Sequence, residues 1–401
     1  MEGSQALLTQ QSVAQSTDNR RPLKLLLAGS GSGGHMIPGL RIAESLREQG
    51  YLLECLFCTE DRTPLRQLLL PQLHPEDRIQ WDPMTSMVGI AGRTLRHRLF
   101  AEQSIDFEPD IVIGLGGRAM LPWLAYAQKH SIQSLVFESN ATAGKAVRWA
   151  KLFSDHLATQ WEEPQGLAYP HRRQTGMPVT KQLVDQLQAT TPIEDRRVIL
   201  VTAGSQGAVQ LSRMAARGLC INDELMGGWT VYHQAPEREC LAIKSLYDLH
   251  QIRSVVQPQF SAIHELLPQA GLAISRGGAC TLHELAMAGV PTIVCPMPDS
   301  PHFHQQQNAR WYTERFAMRE CDEQSTHAQE SLDIEVAMLL ESPELRIQLS
   351  QNCHQLMNEQ PATGLTDWVQ ELLPETILGQ AFADQQNAPI SHSSSAVRAA
   401  S

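Results

Sequence analysis

Residues 23–35 read LKLLLAGSGSGGH, and this stretch decides the fold. Leu23–Ala28 is almost uninterruptedly apolar, which predicts a strand buried on both faces. A glycine-rich turn follows at once, and residues from about His35 to Gln49 carry the pattern of a helix. Strand, glycine turn and helix in that order open a parallel sheet covered by helices. Glycines let the backbone approach an anion closely, and the first N–H groups and dipole of the helix favour negative charge there. Gly29, Gly31 and Gly34 also satisfy GxGxxG, so a dinucleotide-binding dehydrogenase is one reading of the turn. A tight strand–helix connection that holds no ligand is another.

Outward from this turn the alternation continues. Leu52–Cys58, Ile111–Gly114 and Leu135–Glu138 read as further strands, each ending in a polar or glycine turn. A fresh cycle starts after Gly176-Met177-Pro178, with strands at Val198–Thr202, Thr230–His233, Ser254–Gln257, Leu272–Ser275 and Thr292–Cys295. The expected architecture is therefore α/β, with two Rossmann-like domains facing each other across a cleft. The hinge falls near residues 176–195, where TTPIEDRR is polar and broken by proline. Residues 22–178 and 179–372 are the expected domains, with disordered tails at 1–21 and 380–401, both rich in small polar residues.

Composition narrows the class. The 401 residues carry 32 Lys plus Arg against 43 Asp plus Glu, a net charge of −11, which argues against a nucleic-acid-binding surface. The imbalance is local: residues 21–150 hold 14 basic and 13 acidic residues, whereas residues 151–401 hold 17 and 28. No apolar run reaches the roughly 18–20 residues of a spanning helix. The first twenty residues lack the basic start and apolar segment of a secretory signal, which points to the cytoplasm. Cys55 and Cys58 form the single CxxC, but YLLECLFCT reads as a buried strand, so neither a metal nor a redox role is expected of them.

Two more glycine loops match the first. Thr202-Ala-Gly-Ser-Gln-Gly-Ala208 and Ser275-Arg-Gly-Gly-Ala-Cys-Thr-Leu-His-Glu284 each follow a strand and open a helix. A dehydrogenase needs one such loop. A transferase that grips a nucleotide diphosphate in one half and an acceptor in the other needs several.

Read in order, Gly31-Ser-Gly-Gly-His35 with Pro38-Gly39, Gly204-Ser-Gln-Gly-Ala208, Arg276–Glu284, Gly289-Val-Pro291 and His304-Gln305 with Asn308-Ala309 resemble the MurG family over roughly residues 23–370. The resemblance implies a GT-B fold and inverting transfer of N-acetylglucosamine from UDP to a lipid-linked muramyl-peptide in peptidoglycan synthesis. It implies no cofactor, and as partners UDP-N-acetylglucosamine, the lipid-linked acceptor and the inner face of the cytoplasmic membrane. The first domain would then serve acceptor and membrane, the second the UDP-sugar. Carried over by position, Ser32, Gly33 and Gly34 line the cleft from the first domain, and Asn140 matches a motif residue of the family. Ser205 meets the diphosphate, and Gly278, Ala279 and Thr281 frame the nucleotide. Glu284 accepts the ribose hydroxyls, where a carboxylate makes charge-assisted hydrogen bonds. Gln305 faces the donor sugar, and Thr180, Glu138 and Ser261 are lesser contacts.

His35 is the expected general base, because the helix dipole at its position keeps an imidazole neutral. There is no Asp-x-Asp, and His302-x-His304 has no carboxylate cluster beside it, so no metal is expected. Several positions depart from the family: Arg118 stands for an aromatic residue, Phe137 for a His, Met177 for an Asn and Thr180 for an Arg. Two alternatives stand beside this reading: another UDP-sugar glycolipid synthase of this fold and, motivated by Arg118, Phe137 and Thr180, a catalytically weakened membrane-associated homologue. The segment Met87–Arg98 mixes Met87, Val88 and Ile90 with Arg93, Arg96 and Arg98, the pattern of an ordinary amphipathic surface helix or of one lying on an anionic lipid surface, and the resemblance implies the second.

Overall fold

The computed structural model describes residues 21–30, 33–61, 63–82, 106–162, 167–187, 191–202, 208–260, 263–300, 303–360 and 364–381. Within them the chain folds around two parallel sheets. The first contains β1 (Leu23–Ala28), β2 (Leu53–Glu60), β3 (Arg78–Asp82), β4 (Ile111–Gly114), β5 (Gln133–Glu138), β6 (His156–Thr159) and β7 (His171–Gln174). They lie in the order β3-β2-β1-β4-β5-β6-β7. The second contains β8 (Val198–Thr202), β9 (Thr230–Gln234), β10 (Ser254–Gln257), β11 (Ala270–Ser275), β12 (Thr292–Val294) and β13 (Arg319–Glu320), in the order β10-β9-β8-β11-β12-β13.

The central strands are the apolar runs of the sequence. Leu25 pairs with Cys55 on one side and Ile111 on the other, and Leu200 with Tyr232 and Ala273, all in parallel register. Helices cover both faces of each sheet, so these strands bury both sets of side chains. An apolar-run reading passes over β3, β6, β7 and β13. These are short, and three of them lie at a sheet edge, where polar residues face water; β7 reads HRRQ and is mostly exposed.

The helices are α1 (Gly33–Glu48), α2 (Thr63–Leu69), α3 (Met120–Lys129), α4 (Lys145–Ala150), α5 (Lys181–Leu187), α6 (Val209–Ile221) and α7 (Glu237–Leu249). They continue with α8 (Ile263–Leu266), α9 (Ala279–Met287), α10 (His304–Thr313), α11 (Ala328–Glu341), α12 (Pro343–Asn358), α13 (Leu365–Glu371) and α14 (Glu375–Ala381). The last two cross back. Leu365, Trp368, Val369 and Ala381 join the core under the first sheet, and Leu52 N–H donates to Ala381 O at 2.7 Å. Burying a side chain such as Trp368 or Leu365 contributes about 1.5–3 kcal/mol, enough to tie the chain's end to the domain where it began.

Cys55 packs with Leu25 and Leu27, while Cys58 packs on the opposite face with Leu26 and Ala28. A three-residue spacing in a strand turns two side chains to opposite faces, so this pair cannot share a metal or a disulfide. All eight cysteines are free.

In each sheet the chain order reverses beside the first strand, between β1 and β4 and between β8 and β11. Loops leaving the carboxyl ends of such a strand pair diverge and leave a crevice. Among the described residues, Gly29–Ser30, Leu115–Ala119 and Arg276–Gly278 leave these strand ends.

Candidate active site

His35 sits on the third residue of α1, where the chain leaves β1. Its Nδ1 lies 2.5 Å from the carbonyl oxygen of Ser30. A carbonyl can only accept, so Nδ1 carries the proton and Nε2 is left as the ring's acceptor. Burial pushes the imidazole pKa below its ordinary value, against the opposing effects of the Ser30 carbonyl and Glu60. Gly116, in the left-handed region at φ +105°, supplies the opposite wall. A Cβ there would lie 2.7 Å from His35 Cδ2 and 3.0 Å from Nε2, so the ring fits only against glycine. Ser30 fixes the pair of loops: its N–H donates to Gly116 O at 3.1 Å, and its Oγ accepts from Ala119 N–H at 3.3 Å.

From His35 onward α1 lies against the second half of the chain, with contacts two turns apart. Pro38 has no N–H, so the carbonyl of Gly34 loses its helical partner. That carbonyl accepts instead from Cys280 Sγ of α9 at 3.4 Å. Seven residues on, Arg41 pairs with Glu284, again of α9; the two side chains are 7% and 12% exposed. Seven further, the Glu48 carboxylate accepts from Lys181 and Gln182 N–H at 2.7 and 3.0 Å, at the start of α5. Burial alone would raise the Glu284 pKa; the Arg41 guanidinium and His264 override it and hold the carboxyl at about 2. Glu284 is therefore a full anion at the crevice.

The loop between β11 and α9 is held from behind. Arg276, 7% exposed, forms an ion pair with Glu323 and donates to Cys295 O at 2.9 Å. Gln305 Oε1 accepts from Gly277 N–H at 3.2 Å and from Met297 N–H at 2.9 Å. A Cβ on Gly277 would stand 2.3 Å from Gln305 O, so only glycine lets the loop pass under α10. Asn308, fully buried, donates to Gly277 O at 3.0 Å and to Asn140 Oδ1 at 3.1 Å, and accepts from Ala141 N–H at 2.8 Å. Asn140 is held in turn by Glu138, whose Oε1 accepts from Asn140 N–H and Nδ2, both at 2.9 Å, while Oε2 accepts from Gly144 N–H at 3.1 Å.

These contacts place most of the residues singled out from sequence. Gly33, Gly34 and His35 open α1, where Gly34 O meets Cys280 of α9 and Arg41 further along meets Glu284; Gly278 and Ala279 stand at the start of α9, with Thr281 Oγ1 beside Gly278. Asn140 and Gln305 are there too, but with amide oxygens already engaged. Two residues point elsewhere. Thr180 Oγ1 accepts from Leu183 N–H at 3.0 Å and caps α5, so it does not replace a phosphate-binding Arg. Glu138 is an anchor for the Asn140 loop: Asn140 and Gly144 engage both of its carboxylate oxygens, and burial pushes its pKa up. Phe137 is a core residue at 1% exposure, and its substitution for His alters packing rather than the crevice. Arg118 is exposed beside Gly116, with no ion pair among the described residues. Ser32, Ser205, Ser261, His302 and the Met87–Arg98 segment lie outside the described residues. Among the described residues no cluster of His, Cys, Asp and Glu could hold a metal ion.

Sequence reading missed Arg41, Asn308's bridging role and the Arg276–Glu323 anchor. The 34, 41, 48 spacing on α1 is the one trace of the first, and it marks a helix face without saying what lies opposite.

Comparison with known proteins bears on the family and the fold. Residues 25–159 match the glycosyltransferase family 28 N-terminal domain and residues 198–362 its C-terminal domain. A UDP-N-acetylglucosamine–N-acetylmuramyl-(pentapeptide) pyrophosphoryl-undecaprenol N-acetylglucosamine transferase of Trichodesmium erythraeum is 28% identical over 89% of this chain and 94% of its own. The Novosphingobium aromaticivorans enzyme of the same name is 31% identical over 71% of this chain and 76% of its own. The crystal structure of Acinetobacter baumannii MurG superposes with a TM-score of 0.64 at 23% identity, covering 88% of this chain and 99% of that one. With both halves matched and the GT-B arrangement in place, this chain belongs to the MurG family of glycosyltransferase family 28.

Proposed function

We propose that this chain moves N-acetylglucosamine from UDP-N-acetylglucosamine to a hydroxyl of a lipid-linked muramyl-peptide, with inversion at the anomeric carbon. One observation carries the reading: His35, with Nε2 left as acceptor, stands at the start of α1, the helix that contacts α9 through Gly34–Cys280 and Arg41–Glu284. Donor and acceptor chemistry thus share one crevice.

In this mechanism Nε2 of His35 takes the proton of the acceptor hydroxyl as its oxygen attacks the anomeric carbon. The bond from that carbon to the diphosphate oxygen breaks, and UDP leaves with the electron pair. Backbone N–H groups at the start of α9 and in the loop after β8 meet the growing negative charge. Glu284 orients the nucleoside through the ribose hydroxyls, and Ser205 and Thr281 serve the phosphates. Gln305 holds the donor loop with its oxygen and offers its N–H groups to the sugar.

The acceptor's lipid keeps it in a bilayer, so the first domain has to work at a membrane surface. No helix among the described residues is long and apolar enough to cross one. A surface contact has local support in α4 and the residues after it. Trp149 and Leu152, each 59% exposed, stand beside exposed Lys145, Arg148 and Lys151. Apolar side chains set among cations suit an anionic interface. The test is transfer of labelled sugar from UDP-N-acetylglucosamine to two lipid I analogues, one short-chained and soluble, one in anionic vesicles. Transfer to both is expected, and Trp149→Ser should slow only the vesicle reaction. No transfer to either analogue ends the reading.

A further inference from the structure

The Glu284 carboxylate has a partner that its proposed role does not require. Arg41 Nη2 binds Oε1 of Glu284, and His264 Nε2 approaches the same oxygen at 3.7 Å. A vicinal diol is held by a carboxylate through both of its oxygens, and one of the two is already engaged by Arg41 with His264 close by. The Arg41 side of the pair is incompletely satisfied, because its buried Nη1 finds no hydrogen-bond acceptor in the protein. A buried ion pair that leaves an N–H without an acceptor is a poor permanent fastening. It is well suited to exchange.

We propose that Arg41 sets donor affinity by competing with the donor's ribose diol for Glu284, so that α1 seated on α9 through this pair and Glu284 bound to the nucleoside are alternative states. The inference rests on the reading of Glu284 as the ribose acceptor. It gives Arg41, which lies in the first domain and 243 positions from Glu284, control over a site in the second. Donor entry then unfastens the middle of the α1 contact stripe, while Gly34–Cys280 and Glu48–α5 hold its two ends.

The experiment compares calorimetric dissociation constants for UDP and 2′,3′-dideoxy-UDP. Both carry the same diphosphate, so their ratio cancels any general effect of removing a positive charge. In Arg41→Gln the preference for UDP over the dideoxy analogue should rise about 5- to 50-fold above the parent, the range of coupling between residues in contact. An unchanged preference overturns the proposal, and a reduced one assigns Arg41 to the ribose as a direct contact and overturns it too. Adding Glu284→Gln to Arg41→Gln should abolish the gain. If the double variant keeps the preference of Arg41→Gln, Glu284 does not hold the diol, and the donor-site reading itself has failed by a separate signature. Should Arg41→Gln not fold, Arg41→Lys gives the same readout. Its single ammonium leaves more of the carboxylate open, so the preference should rise in part, and no rise overturns the proposal.

Discussion

The two glycine loops that face each other are built by opposite means. The first, around His35, is fixed almost wholly by backbone: the Ser30 carbonyl orients the ring, and Gly116 backs it in a conformation other residues avoid. The loop before α9 is fixed by side chains from behind, with Arg276–Glu323 buried beneath it and the Gln305 and Asn308 amides gripping Gly277. The difference follows from the work proposed for each. A base needs one tautomer and a free lone pair, which a single carbonyl can impose. An anion site needs backbone N–H groups that stay unsatisfied and do not move, so the loop must be held by its other edge.

The largest test of this contrast is at the first loop. His35→Ala should lower turnover about 10²–10⁴-fold and leave UDP affinity nearly intact, since a general base acts on the acceptor. Steady-state transfer and calorimetry separate the two, and near-normal turnover would remove His35 from the chemistry. On the second loop the expected damage is to stability. Glu323→Ala strands the buried Arg276 cation and should cost about 3–5 kcal/mol in urea unfolding. UDP affinity should fall with it, whereas an equally stable variant would show the anchor to be dispensable.

Smaller effects sharpen the comparison. Glu284→Ala should weaken UDP binding by about 1–3 kcal/mol, the loss of a charge-assisted hydrogen bond. Unchanged calorimetric affinity in a folded variant would take Glu284 out of the donor site. The smallest expected effect is a shift along the pH axis. His35 must be neutral to accept a proton, and burial lowers its pKa. The acid limb of kcat/KM should therefore lie below the usual histidine value of about 6.5, activity falling as pH drops through it. A limb above that value would assign the profile to another group.

Much of this molecule is legible in its sequence, for a physical reason. β1, β4, β8 and β11 are buried on both faces, so they appear as apolar runs whatever surrounds them. Gly29 and Gly277 answer demands of close backbone approach, and a glycine at the turn from strand to helix leaves a mark in the sequence. The CxxC could be set aside because side-chain alternation in a strand is a property of the strand alone. Edge strands such as β7 are less legible, since one polar side and few neighbours make them resemble loops.

What only the tertiary structure decides is partnership. Nothing near Arg41 in the chain distinguishes it from a solvated helix cation; it becomes a buried partner of Glu284 because two sheets bring α1 and α9 together. Thr180 looks like a lost phosphate ligand in sequence and is a helix cap in space. The Asn140 motif is recognisable, but its grip on the second domain runs through Asn308, 168 positions away. Hydrogen bonds and ion pairs depend on distances of a few ångströms. Between residues so far apart in the chain, folding sets those distances, so the sequence named the groups and the packing of the two domains chose their partners.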